Sequence, residues 1–426
     1  MSKLKISLAV LLLLLLFYPM STTFITPNSL RVSVNSPKIQ EFEITTSFDW
    51  DLTGTPIYID DTIPGSNWSY TAATYAWCSG AGTMNDPYVI ENVLIDGLNS
   101  SSCITILNSN QFFTIRNCNV YNAGAAGIFL LNTSNGTLLL NNCSYNNGYG
   151  IRILGGENNR IIDNIINHNY AALWIANSHY ITISLNVVNN NDDLGIYCGN
   201  CNDGEVSENT LKSNYGGLYY SGYNGTLTYN TLENHTYFGL ALEWAYNSFV
   251  QENSITKNNA VYGGIIFSTA VNNTAFKNSL RNNSYGIYFI GVCYDNIIKE
   301  NLIENNDLYG FSISSGSDNN SIFKNCFIGN KLHATDNGIG NHWDNGFEGN
   351  YWDNYTGLDN NDDGIGDIPY NISGSAGSQD NFPLMVCSPE ETISNGGIPG
   401  FNVLTILIIG MLVFLHILKK RKYKLK

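Results

Sequence analysis

The chain reads as an all-β protein: a right-handed parallel β-helix of about ten coils of 22–24 residues, capped at both ends and followed by a C-terminal transmembrane helix. Two periodic phrases and a ladder predict it. The first phrase is apolar residue, two spacers, Asn, one spacer, apolar residue. Its Asn recurs at Asn141, Asn164, Asn186, Asn209, Asn230, Asn253, Asn278, Asn301 and Asn325, with Cys118 in the slot one step earlier and Asn92 as a candidate start. The second phrase is Gly or Ala, apolar, any residue, apolar. It keeps the same pitch from Gly127-Ile-Phe-Leu130 to Gly310-Phe-Ser-Ile313. A constant period of this size is the mark of a solenoid.

The apolar phrases alternate with period two, which is strand behaviour, and they are too short for helical repeats. Gly and Asn punctuate them, and both tolerate the left-handed backbone of tight corners. Three short strands and three turns fill such a coil. Leucine-rich repeats are the rival, because they share a Leu-x-x-Asn-x-Leu fragment. Their Leu-x-Leu strand before the Asn is missing here. Asparagine is about one residue in seven. In a parallel stack, equivalent residues lie one strand spacing apart, so buried Asn side chains can bond from coil to coil. A second ladder is expected five residues on, at Asn146, Asn169, Asn191, Asn214, Asn258, Asn283, Asn306 and Asn330, broken at His235. The residue before the first Asn should face solvent. In four successive coils it is Glu252, Lys277, Glu300 and Lys324, an alternation that suits neighbouring strands.

Around the coils the sequence divides as follows. Residues 1–26 read as a signal peptide or N-terminal anchor, with Lys3 and Lys5 before an apolar run. Residues 27–87 should cap the open N-terminal edge, because an uncovered strand edge invites pairing. The β-helix spans 88–332, and 333–385 form a C-terminal cap. A linker at 386–400 leads to an apolar span at 401–418 and a basic tail at 419–426. Eighteen apolar residues just suffice to cross a bilayer, and the basic tail belongs on the cytoplasmic side. That places the β-helix at the cell surface, membrane-anchored, with the ectodomain outside. Eight of the 20 basic residues lie at the two ends, which leaves 35 acids against 12 bases between them. Such a surface disfavours nucleic acid and suits cations or neutral sugars.

Three groups of residues could carry chemistry. Asp359, Asn361 and Asp363 stand at positions 1, 3 and 5 of a loop with Gly364 at 6, Ile365 at 7 and Asp367 at 9. Alternate oxygens around a sharp Gly bend are the calcium-loop arrangement, with the Ile365 carbonyl as a further ligand. Tyr370 replaces the usual bidentate Glu, and the alternative is an acidic turn without Ca2+. The second group is the outward row formed by the third residue of each Gly phrase: Phe129, Arg152, Trp174, Tyr197, Tyr219, Ala241, Ile266, Tyr288 and Ser312. Trp174, Tyr197 and Tyr219 should make a flat strip against which sugar rings stack, extended by Trp244 beside Glu243. Aromatics also simply suit strands. Asp192 and Asp193, in a turn next to this row, are the candidates for acid chemistry, although solvated surface acids fit them as well. Among nine cysteines, Cys198-x-x-Cys201 is a lone pair. Cys198 points inward and reads as a small core residue, with a disulfide, zinc or redox pair as alternatives. Cys118 and Cys143 fall in neighbouring coils and could bridge.

The Asn-ladder coils, Gly349-Asn-Tyr-Trp-Asp353-Asn-Tyr355, the loop ending Asp367-Ile-Pro-Tyr370, Asp380-Asn-Phe-Pro-Leu384, and upstream Trp77-Cys-Ser-Gly80 with Asp86-Pro-Tyr-Val-Ile-Glu-Asn92 resemble the NosD-like family of right-handed β-helix surface proteins common in archaea. The resemblance covers roughly residues 56–385 and implies the fold more than an activity. The family takes its name from an accessory factor in copper-enzyme maturation. Five Met and six scattered His give no cluster of soft ligands for that metal. Pro399-Gly400-Phe401, the apolar span and the basic tail resemble the C-terminal sorting signals of archaeal surface proteins, which implies cleavage and lipid transfer. Together these readings favour a non-catalytic surface protein that binds polysaccharides or glycoprotein glycans, or builds the envelope. The alternative is a polysaccharide lyase or glycoside hydrolase.

Overall fold

The computed structural model describes residues 48–258 and 261–387. The N-terminal signal or anchor, the linker beyond Cys387, the apolar span and the basic tail lie outside these residues. Among the described residues no helix is long and apolar enough to cross a membrane.

The described chain is an all-β parallel solenoid of about 11 turns. Two of its faces are sheets of 12 strands each; the third is a 3-stranded and an 8-stranded sheet. Isolated parallel bridges at Asn119–Asn142, Asn142–Ile165 and Ile165–Val187 join those last two. The inward positions, such as Ile106, Ile128, Ile151, Leu173, Ile196, Leu218, Leu240 and Ile287, are fully buried and form one continuous core. Gly in the second phrase has a steric cause. A Cβ on Gly217 would strike the carbonyl oxygen of Gly239 in the next coil, and one on Gly239 would crowd that of Gly264.

The first ladder is continuous. In each coil the Asn backbone N–H and side-chain amide both donate to the Oδ1 of the next Asn, for example Asn253 to Asn278 at 3.0 and 3.0 Å. The same amide also donates to a carbonyl of the preceding coil, here Leu227 at 2.9 Å. Every Asn of this ladder is buried, so each polar group is paired where water cannot reach it. The ladder starts from the Cys118 N–H on Asn141, not at Asn92. Asn92 stacks with Asn117, and the fully buried Val93 occupies the slot below Cys118. At the far end the ladder runs on to Asn350 and the Asp380 carboxylate.

His235 does not break the second ladder. Its Nδ1 takes the place of the amide oxygen and accepts the Asn214 N–H at 3.2 Å, while its own N–H donates to Asn258 at 2.9 Å. Its Nε2 is buried without a partner. Burial holds the imidazole neutral and pushes its pKa down to about 4. A third ladder, Ser248, Asn273, Asn296, Asn320 and Asn341, supports the remaining corner of the later coils.

Several expectations are corrected. Glu252, Lys277, Glu300 and Lys324 do occupy left-handed corners, with φ of 54°, 55°, 56° and 58°. They form no ion pairs with one another; Lys324 turns instead to Glu348 at 2.7 Å. Cross-coil charge pairing occurs at another position, where Glu233 holds Lys212 at 3.1 Å and Lys257 at 2.9 Å. Cys118 and Cys143 are free and buried. The register explains it: Asn119 pairs with Asn142, so Cys143 stands over Val120 and not over Cys118. Cys198 and Cys201 form a disulfide within the core, and Cys326–Cys387 ties the cap to the last coils. The solenoid also begins earlier than residue 88. Ile57–Asp60 already pairs in parallel with Ile104–Leu107, and helix α1 (Trp68–Thr74), capped by the Asn67 side chain, packs over that end.

Candidate functional site

The outward row forms in the expected register on one 12-stranded sheet. Phe129, Arg152, Trp174, Tyr197, Tyr219, Ala241, Ile266, Tyr288 and Ser312 are successive cross-strand partners. Its rings are packed differently from a flat strip. Trp174 and Tyr197 stack with centroids 4.0 Å apart and an interplanar angle of 16°, and Tyr197 and Tyr219 do so at 4.8 Å and 15°. Strands about 4.8 Å apart leave no room for rings lying side by side, so they stand on edge and cover each other's faces. The row therefore presents ring edges and not ring faces, and the Tyr219 side chain bonds Glu243. Farther along, Tyr237 and Tyr262 pack against a small cluster of Phe238, Ala241 and Ile266 that closes over the row's middle. At the other end the Arg152 guanidinium lies 4.9 Å from the Tyr149 ring and 5.6 Å from the Phe129 ring.

Trp244 is the exception. The strand Phe238–Tyr246 is nine residues long and carries a β-bulge. Tyr220 pairs with Leu242 but Gly222 pairs with Ala245, so one extra residue is accommodated. Trp244 sits at that step with φ of 52°, a conformation costly for a large side chain. The bulge turns it outward, 50% exposed. Among the described residues it stacks on no other ring. It does not extend the stacked row; it stands apart from it, half exposed. Glu243, just before it, shares a hydrogen bond with the Tyr219 side chain, and burial raises its carboxyl above the ordinary range. Sequence reasoning placed Glu243 only as a neighbour. The bulge that brings it into the site has no signature in the repeat spacing: the step that contains it, Asn230 to Asn253, is 23 residues, the commonest step of the series.

The two acid candidates separate. Asp192 is exposed. Asp193 is half-buried at the lead-in to Leu194–Gly199, and burial raises its carboxyl despite a hydrogen bond from the Tyr170 side chain. Its carbonyl accepts the Tyr215 N–H at 3.1 Å. Asp193 belongs to the coil of Tyr197 and Glu243 to that of Ala241, two strands farther on.

In the C-terminal loop, Asp359, Asn361 and Asp363 come together. Asp359 accepts the N–H groups of Asp363 and Gly364 at 3.2 and 2.8 Å, and the Asn361 amide donates to Asp363 at 2.9 Å. Gly364 has φ of 84°, which the sharp bend requires. Ile365 bridges Leu384. Asp367 faces elsewhere, accepting the backbone and side-chain N–H groups of Asn360 at 2.8 and 2.6 Å.

Two family models match the sequence. One is described as periplasmic copper-binding protein (NosD), over residues 195–357, and the other as right handed beta helix region, over residues 102–247. Among curated proteins none matches significantly. Solved structures with a similar fold include the Dettilon tailspike protein, at 14% identity over 60% of this chain and a TM-score of 0.32. They also include the catalytic domain of a GH87 alpha-1,3-glucanase in complex with nigerose, at 12% over 60% with a TM-score of 0.42. A third is the Azotobacter vinelandii mannuronan C-5 epimerase AlgE4 A-module, at 11% over 69% of this chain and 99% of that one, with a TM-score of 0.33. The chain spans 55% of the tailspike and 56% of the glucanase domain. Likeness at this level is one of fold. Copper does not suit the donors present. No group of three or more His, Cys, Asp or Glu among the described residues is placed to hold a metal, and the free thiols are buried one to a coil. Burial pushes the Cys118 thiol up to about 12, far from the thiolate that a soft metal binds. In sequence over residues 195–357 the chain is NosD-like, and in fold it is a right-handed β-helix.

Proposed function

We propose that this protein is a cell-surface β-helix that binds glycans without transforming them, and that its contact site is the Glu243–Trp244 bulge at the end of the Trp174–Tyr197–Tyr219 stack. One observation carries this reading: a half-exposed tryptophan that stacks on no other ring among the described residues, turned out of the sheet by a bulge beside a tyrosine-bonded carboxylate. An apolar sugar face packs on such an indole, and the Glu243 carboxylate accepts from sugar hydroxyls. The apolar, basic-flanked segments at both ends of the sequence support display outside a membrane. Ca2+ held by Asp359, Asn361 and Asp363 would stiffen the cap; Asp367 joins them only by releasing Asn360. The experiment is a polysaccharide screen of the purified protein that scores binding and cleavage together. Binding lost in Trp244→Ala, with no product released, supports the reading; no binding to any polymer defeats it.

Half-buried Asp193 beside the row favours a second reading, a polysaccharide lyase or hydrolase with this residue as proton carrier. Release of unsaturated or reducing sugar that disappears in Asp193→Asn but persists in Asp192→Asn would establish it.

A further inference from the structure

The row is bracketed by two carboxylates, and among the described residues neither has a basic partner. The side chains facing Glu243 are those of Tyr219, Tyr197 and Tyr237; those facing Asp193 are Tyr170 and Tyr215. Among the described residues neither acid belongs to an ion pair, whereas Glu233, on another face, is held by two lysines. Asp193 lies on the side where the strands enter the face. Glu243 lies on the side where they leave it, about 10 Å farther along the stack at one strand spacing per coil. A chain of sugars crossing the stacked rings passes between them. The one base of the row, Arg152, is four strands from the Glu243 coil and is taken up by the Tyr149 and Phe129 rings.

Resting on the glycan-binding reading, we propose that Glu243 and Asp193 make this face selective for neutral glycans and exclude those that carry a carboxylate on each sugar. Hydroxyl groups of a neutral sugar donate to both acids at little electrostatic cost. A uronate brings a third negative charge into a half-buried setting that screens it poorly and offers it no cation, and like-charge juxtaposition of this kind is strongly unfavourable. The same geometry distinguishes this face from one built for polyuronates, which needs bases where these acids stand.

The test uses matched probes: neutral glucan oligosaccharides of α and β linkage, and the same oligosaccharides oxidised at C6 to uronates. Binding to the full-length protein is measured by calorimetry for wild type, Glu243→Gln and Asp193→Asn, with folding of each variant checked by its melting curve. The neutral form should bind at least about tenfold more tightly than its oxidised counterpart in wild type, and each amide variant should narrow that gap by about threefold or more. Equal or tighter binding of the oxidised form, or a gap unchanged in both variants, overturns the selectivity and leaves glycan binding standing. Binding of neither form overturns both.

Discussion

The buried corners and the outward row are built on the same 21–25-residue pitch, yet they use it in opposite ways. At a corner one residue type repeats because one job repeats. Asn253 accepts two N–H groups from Asn230 at 2.9 and 3.0 Å and returns two donors to Leu227 and Asn278. No other side chain of that size offers an acceptor and two donors along a single line. On the row the residue changes from coil to coil, from Arg152 through Trp174 to Ala241, because nothing in the stack fixes it. A fixed position in the repeat thus marks structure, and a variable one marks where this particular chain differs from a bare solenoid.

The sharpest way to break that comparison is to remove one rung. Asn253→Ala should leave the Asn230 donors and the Leu227 carbonyl unpaired in the core. The expected cost is about 3–5 kcal/mol, read as a fall in the urea midpoint and as faster amide exchange in the coils on either side. Tyr197→Leu on the row should cost about 1 kcal/mol or less, since only ring stacking and partly exposed surface are lost. Equal losses at the two positions would mean that the ladder is not what distinguishes them.

His235 sharpens the same point with pH. Unfolded, it titrates near 6.5; folded, its pKa lies at about 4. Between those values the unfolded chain binds more protons, so stability is fully present above about 6.5 and declines as pH falls toward 4, by an amount on the order of 3 kcal/mol. His235→Asn should restore the amide rung and flatten that slope. Asp380, buried under Trp352 and pushed up to about 6, acts in the opposite sense, weakening as pH rises through 6. The comparison of His235→Asn with wild type cancels its contribution. A slope unchanged by the substitution would show that His235 is not held neutral.

The ladders, the inward positions and the register of the row were legible because each repeats and each follows from alternation and strand spacing. What was not legible is local. The orientation of the Trp174, Tyr197 and Tyr219 rings depends on the distance between neighbouring strands, which forces stacked rings on edge. Trp244 depends on a bulge that the repeat spacing hides, because the coil that contains it keeps the ordinary step of 23 residues. Asn92 was misplaced by one residue, and a one-residue shift exchanges inside for outside. The Cys326–Cys387 bridge joins segments whose proximity no spacing encodes. Glu252 and its stacked neighbours alternate in sign as ion pairs would, but Glu252 takes the Gln251 amide at 2.7 Å and Lys324 turns to Glu348.

On the row, Trp244→Ala should weaken binding of a neutral oligosaccharide by about tenfold while leaving the melting temperature within about a degree, because the indole is half exposed and packs on no ring. Trp174→Ala should do the reverse, with little effect on binding and a measurable drop in stability, because its face is already covered by Tyr197. Exchange of those two outcomes would return the stacked row to the role of binding platform and reduce the bulge to a structural irregularity.

The smallest effect is expected at the cap. The Asp359–Asp367 loop is largely exposed and its acids are already satisfied by their own backbone, so Ca2+ would have to displace those internal hydrogen bonds to bind. Only the excess of ion coordination over those bonds would appear as stability. Saturating calcium should therefore raise the melting temperature by a few degrees at most, about 1–2 kcal/mol, through binding to the folded state alone. Asp363→Ala should abolish the rise, because it removes the carboxylate bonded to Asn361 beside Asp359. Asp367→Ala should abolish it only if the loop releases Asn360, so the two variants together report whether the loop rearranges around the ion. A rise that survives Asp363→Ala would place the calcium elsewhere on this acidic surface. The cap would then be one more region, like the buried corners, whose side chains are spent on holding the fold.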